Sequence, residues 1–330
     1  MPITDQDWPI IDFHVHVRPP WWKVEIPATA SEADAEWQRT WGKKLTDPQA
    51  LLQESDEGGV SLRILSSTVE GVSGISGPVD YDEIRRHNDY LAGLAAHHPG
   101  RLAALAAVDA FSGEVGAREA ERAVTELGHV GIVIDSARDG LFAGNPITRP
   151  TFELAARLKA PVFVHPVAAT NADTLIAAAG RAGNSFGRGH VNGIAFLSIL
   201  KSGLLEEFPD LDVVFTGIGL GALTIAAVEA PAYSLAARRS GKRRPNLYFD
   251  FMGFDPAVLR FAVDILGPDR VLVGSDWPIW EALSREKLVS VFNHAGIGDT
   301  DRRLIASGNA QRLLERRVPA TPVEAAHAHV

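Results

Sequence analysis

The chain contains no cysteine among its 330 residues. That absence excludes a disulfide framework, a thiolate metal ligand and a cysteine nucleophile. Any metal must therefore be held by His, Asp or Glu. Positive charge is also in short supply: 32 Lys and Arg stand against 41 Asp and Glu, a formal net charge of −9. An acidic chain is a poor match for a nucleic-acid backbone. The short basic clusters, Arg238-Arg239 with Lys242-Arg243-Arg244 and Arg316-Arg317, read as solvated loop or helix-end charges. No apolar run approaches the ~20 residues of a membrane span. The opening MPITDQDWPI lacks the basic and long apolar regions of a signal peptide. These absences point to a soluble, cytoplasmic protein without nucleic-acid or membrane partners. What is plentiful is apolar surface: 46% of the residues are hydrophobic, enough to bury one large core.

That apolar material comes in short, β-branched runs, each followed by a helix-like stretch. The runs are Ile10-Ile11 into His16, Leu62 to Leu65, Leu102 to Val108, Gly131 to Ile134, Val162 to Val164, Val213 to Phe215, Leu247 to Phe249 and Val271 to Val273. Helix starts are signalled by Asp47-Pro48, Asp80, Ser112 with Glu114, and Pro256, and stops by Gly128 and Gly203. Strand–helix alternation repeated eight times predicts an α/β fold, a (β/α)₈ TIM-type barrel in one domain over residues 1–315. Residues 316–330 are expected to be a flexible C-terminal tail, in which His327 and His329 are inert. An open doubly wound sheet would more often show a Gly-rich phosphate loop after an early strand. Gly217-Ile218-Gly219-Leu220-Gly221 resembles one, but it follows the sixth strand and carries no Lys-Ser/Thr. Two connections are long. One follows His16 through Trp22, Trp37 and Trp41 and reaches a regular helix only near Asp47. The other follows His165 through Asn184 to His190. Both are expected as long loops at the carboxyl ends of the strands, where barrel enzymes do their chemistry.

Residues that end strands on that face are the candidates for function. In Asp12-Phe13-His14-Val15-His16 the two histidines are two apart on one strand and project the same way. The fifth strand ends in His165-Pro166 and the eighth in Asp276-Trp277-Pro278. Three imidazoles and a carboxylate converging on the barrel axis, with a position left for water, describe a catalytic metal site. Other polar strand ends are scarce on this reading. Recognition of an anionic substrate needs an arginine fork, for which Arg188, Arg18 and Arg138 lie on active-site-side connections. Trp22 and Trp277 could wall a flat substrate.

The pattern resembles the amidohydrolase superfamily, in the branch of aminocarboxymuconate-semialdehyde decarboxylase and related decarboxylases. The matching pieces run in order from Asp12-Phe13-His14-Val15-His16 through Asp56-Glu57-Gly58-Gly59-Val60, Asn88-Asp89, His98-Pro99-Gly100-Arg101 and Leu127-Gly128-His129-Val130-Gly131. They continue with Pro161 to Pro166, Ser202-Gly203-Leu204, Phe208-Pro209-Asp210-Leu211, Gly274-Ser275-Asp276-Trp277-Pro278 and Gly308-Asn309-Ala310. The resemblance implies a barrel, one Zn²⁺ or alternatively Mn²⁺ on His14, His16, His165 and Asp276, a small carboxylated substrate, and a homodimer.

One departure matters. Family members usually end the sixth strand in a histidine that serves as acid/base, and by register Gly217 takes its place here. The strand-4 position of binuclear relatives is also unfilled, so a second metal is not expected. Proton transfer then falls to Asp276, or to His190 in the connection after strand 5. His87, His97, His98, His129 and His294 read as structural. The first functional expectation is a metal-dependent, non-oxidative decarboxylase of a small aromatic or unsaturated carboxylic acid. A hydrolase of a lactone, amide or cyclic ester, using a metal- or Asp276-activated water, is the alternative. A non-catalytic binding protein on the same fold comes third.

Overall fold

A computed structural model describes residues 8–24, 26, 32–229, 245–252, 254–280 and 282–316. The basic cluster at 238–244 and the tail from 317 onward lie outside them. Eight strands are hydrogen-bonded in sequence order, all parallel. They are β1 (Ile11–His16), β2 (Leu62–Ser66), β3 (Leu102–Val108), β4 (Gly131–Asp135), β5 (Val162–His165), β6 (Val213–Phe215), β7 (Leu247–Asp250) and β8 (Val271–Leu272). The ring closes where the chain beyond β8 meets β1: Phe13 donates its N–H to the Val273 carbonyl at 2.9 Å and Asp276 to the His14 carbonyl at 2.8 Å.

Alternation along the strands explains both faces. Val133, Phe163, Val214, Tyr248 and Leu272 join Phe13 in one buried cluster. Their strand neighbours, such as Ile132, Val162, Val213, Phe249 and Val271, join a second cluster with the surrounding helices. Each large side chain so buried contributes roughly 1.5–3 kcal/mol. A polar seam crosses the closure beneath the carboxyl face. Asp12 pairs with Arg63 and accepts from the Ser275 hydroxyl at 2.6 Å and the Ser275 N–H at 2.8 Å, all fully buried. It ties β1, β2 and the chain after β8 together.

The two long connections depart from expectation. Residues after β1 form helix α1 (Glu32–Leu45), whose Trp37 and Trp41 rings pack at 5.7 Å one turn apart. The stretch after β5 is not a loop but most of helix α2 (Ala172–Ser202), broken at Ala179 and Gly180. Its glycines read as loop signals, yet packing of Val191, Ala195, Phe196 and Ile199 into the core overrides their weak helix propensity.

Candidate metal centre at the barrel mouth

Inward-facing positions at the strand ends are polar: His14 and His16 on β1, Ser66 on β2, Asp135 on β4, His165 on β5, Asp250 on β7, and Asp276 just beyond β8. The expected four, His14, His16, His165 and Asp276, offer ligand atoms that all lie within 4.8 Å of one another. His14 Nε2 and His16 Nε2 are 3.2 Å apart, His16 Nε2 and His165 Nε2 3.1 Å, and Asp276 Oδ1 is 3.3 Å and 3.1 Å from the first two. Asp276 reaches in from a left-handed backbone conformation, φ 53°, which aspartate tolerates better than most residues.

The hydrogen bonds behind the imidazoles decide what those contacts are. His14 Nδ1 lies 2.9 Å from Asp250 Oδ2, which can only accept, so Nδ1 carries the proton. Ser66 donates its hydroxyl to the Val15 carbonyl at 3.1 Å and therefore accepts from His16 Nδ1 at 3.0 Å. In their neutral, metal-binding forms both imidazoles thus turn an Nε2 lone pair toward the common centre. Lone pairs facing one another at such distances repel unless a cation sits among them. Bonds of 2.0–2.1 Å to one ion would set donor atoms about 2.9–3.4 Å apart, a range that includes all four observed separations. The residues present fit one divalent metal.

The electrostatics agree. Burial resists a charge on His14, but Asp276 and Asp250 overcome it and raise its pKa to about 9. Burial, reinforced for His165 by the two other imidazoles, holds His16 and His165 below the ordinary histidine value, so both remain neutral ligands. Burial also opposes ionisation of Asp276, yet His14 and His16 keep its pKa below the usual carboxylate range. The pocket draws positive charge.

The remaining expected residues divide. Arg188 turns from α2 toward the mouth, but its fork is filled: Nη1 and Nη2 meet the two Glu70 oxygens at 3.0 and 2.8 Å, and Nη1 also donates to the Pro166 carbonyl. Burial works against its charge, and Glu70 restores it to above the ordinary arginine value. Arg18 is buried, donates to Ser67 and Thr68, and stacks 5.7 Å from the Trp22 ring. Its Nε has no partner. Three expectations do not hold. Arg138 is committed to the carbonyls of Gly74 and Gly77, at 2.7 and 2.8 Å, and braces a loop. Trp277 is 2% exposed, packs with Val15, Leu51 and Leu65, and donates to Glu54, so it lies behind the strands and walls nothing. His190 follows Arg188 by two helical residues, about 200° around the axis, and is exposed with Phe186 on the outer face.

Sequence reading missed the strand-end acids. Asp109 after β3, Asp135 and Asp250 each follow an apolar run as His165 does, and that shared register was the available signal. Asp135 is cross-strand neighbour to His165, and both its oxygens are buried without a hydrogen-bond partner. Burial, then the Glu70 charge, pushes its carboxyl well above the usual range. Glu70 is also contacted by the Ala168 N–H at 2.9 Å, and no motif marked it.

A gamma-resorcylate decarboxylase of Polaromonas sp. (strain JS666 / ATCC BAA-500) is 27% identical over 301 residues, covering 86% of this chain and 91% of that protein. The 2-amino-3-carboxymuconate-6-semialdehyde decarboxylase of Dictyostelium discoideum is 24% identical, covering 92% and 91%. Among solved structures, a dihydroxybenzoic acid decarboxylase of Polaromonas sp. JS666, with bound manganese and the inhibitor 2-nitroresorcinol, superimposes with a TM-score of 0.76 at 24% identity. It covers 93% of this chain and 97% of that one. The family model described as Amidohydrolase matches residues 11–316, and the chain belongs to that family.

Proposed function

We propose that this protein is a metal-dependent, non-oxidative decarboxylase of a small aromatic or unsaturated carboxylic acid. The observation that carries the reading is the convergence of three imidazoles and one carboxylate at the open end of the barrel. The similar proteins named as decarboxylases support it. His14, His16, His165 and Asp276 would hold the ion. When bound, it would orient the substrate's oxygens and draw off the negative charge that builds as CO₂ departs. The bond between ring carbon and carboxylate breaks, the electron pair stays on that carbon, and a proton takes the vacated place. We assign the transfer of that proton to Asp276, whose carboxylate borders both β1 imidazoles. Being ionised, it first takes the proton from a water molecule and then passes it to the carbon. Arg18 and Trp22 are the side chains we assign to one wall of the substrate site. Arg188 serves there through its pair with Glu70.

Zn²⁺ suits the His₃Asp donor set, and the manganese in the Polaromonas structure supports Mn²⁺ as the alternative. A homodimer in the cytoplasm completes the reading. Among the described residues, no helix is long and apolar enough to cross a membrane. The test is CO₂ release from a panel of hydroxybenzoates by protein loaded with Zn²⁺ or Mn²⁺. No release across the panel, with stoichiometric metal bound, would rule the decarboxylase out.

Glycine at 217 favours the second reading, a hydrolase of a lactone, amide or cyclic ester, because that residue leaves no strand-6 imidazole to carry a proton. Lactone hydrolysis that survives exhaustive chelation would select it.

A further inference from the structure

The side chain beneath His14 carries an inference of its own. Asp250 ends β7, is fully buried, and uses both oxygens. Oδ2 accepts from His14 Nδ1 at 2.9 Å, and Oδ1 accepts from the Gly217 backbone N–H at 2.7 Å. Its two flanking positions, after β6 and after β8, are both glycine. A Cβ on Gly217 would stand 2.6 Å from the Asp250 carbonyl oxygen and 3.3 Å from Oδ1. A Cβ on Gly274 would stand 2.7–2.8 Å from the Asp250 Cβ, Cγ and Oδ2. Real Cβ atoms do not approach within 3.0 Å, so a side chain at 217 must displace the Asp250 main chain and one at 274 must displace the Asp250 side chain.

We infer that Asp250 is the positioning residue of the metal centre, that Gly274 is glycine because the Asp250 side chain needs its space, and that Gly217 is glycine because the Asp250 main chain, which aims that side chain, passes against it. The carboxylate fixes His14 as its Nδ1–H tautomer and aims Nε2 at the ion, the role that outer carboxylates play behind metal-bound histidines. The glycine at the end of β6 is then a built feature, not a lost histidine. A side chain there pushes against the Asp250 main chain and so shifts the carboxylate seated on His14. Asp250 touches the ligand and not the substrate, so its effect passes through the geometry of His14.

The inference rests on the metal-site reading, and the experiment separates the two. Dissociation constants for Zn²⁺ and Mn²⁺ are measured by chelator competition on the full chain, with the visible absorption of the Co²⁺-substituted protein and the thermal midpoint of the metal-free protein. Asp250→Asn keeps the shape but has one acceptor oxygen for three donors, His14 Nδ1 and the Gly217 and Met252 N–H groups. It should weaken metal binding about 10- to 100-fold and change the Co²⁺ spectrum. Gly217→Ala alters neither ligand nor carboxylate and should weaken binding in the same direction. It carries the test alone if Asp250→Asn does not fold. Gly217→His should lose metal rather than gain activity. A lowered metal-free midpoint with unchanged dissociation constants and spectrum would make Asp250 merely structural and overturn the proposal. Wild-type protein that binds none of these ions would instead remove the metal centre itself.

Discussion

The two walls of the barrel mouth are both crowded with ionisable groups, and they solve that crowding in opposite ways. On the wall built by β1, β5 and the chain after β8, three imidazoles and a carboxylate point at one another across 3.1–3.3 Å. Two side chains, Asp250 and Ser66, hold two of the imidazoles from behind, so the Nε2 atoms are turned toward the centre. On the second wall, made by the connections between strands, the arginines are held by protein partners: Arg188 by Glu70, Arg18 by Ser67 and Thr68 through its Nη atoms though not its Nε, Arg138 by two carbonyls. The first wall has the donor set for an ion, the second is filled largely by the protein itself. Clustering of charge is therefore no guide to function until the partners of each group are known.

Removing a ligand should do the most damage. His165→Ala should abolish stoichiometric metal binding and, with several kcal/mol of charge stabilisation lost, slow turnover on the order of 10³-fold. Elemental analysis and turnover on an active substrate check this. Retained metal and rate would show that the first wall needs no ion.

Asp12→Ala tests the seam beneath both walls. It leaves Arg63 buried without its carboxylate, which should cost about 3–5 kcal/mol in denaturant unfolding. A loss under about 1 kcal/mol would mean the seam is solvated.

Metal binding should also follow pH. A proton on His14, whose pKa is about 9, must leave before the ion binds. Apparent affinity should therefore rise about tenfold per pH unit through neutrality and level off above about 9. In the metal-free protein the same raised pKa contributes stability that is fully present below 6.5 and is lost as pH rises through about 9. An affinity that is flat between pH 6 and 8 contradicts this.

Glu70→Gln addresses the self-satisfied wall. It should cost roughly 1.5–3 kcal/mol by weakening a charged pair and leave metal content unchanged. Metal loss on this substitution would mean the two walls are one unit. The smallest effect is expected at His190, where alanine should change stability by less than about 0.5 kcal/mol and leave kcat/KM unaltered.

The contrast between the walls also explains what could be read from the chain. His14 and His16 are legible because strand geometry alone puts residues i and i+2 on one face. His165 is legible because it closes an apolar run. The same logic applied to Asp109, Asp135 and Asp250, but a strand-ending aspartate is also a common helix cap, and Asp109 caps the turn that follows it. Glu70 was illegible because its partner Arg188 lies 118 residues away. Helix α2 was misjudged because its glycines carry turn propensity that only tertiary packing outweighs.

By itself the sequence determined the strand–helix alternation, and with it which residues end strands at the carboxyl face, because hydrophobic periodicity is local and repeats with the backbone. Only the tertiary structure decided which of those residues face an ion and which face one another. That choice turns on distances across the barrel: Asp250 behind His14, Gly217 and Gly274 yielding it space, Glu70 filling the fork of Arg188. No local pattern encodes them, since each joins residues from separate strands or helices.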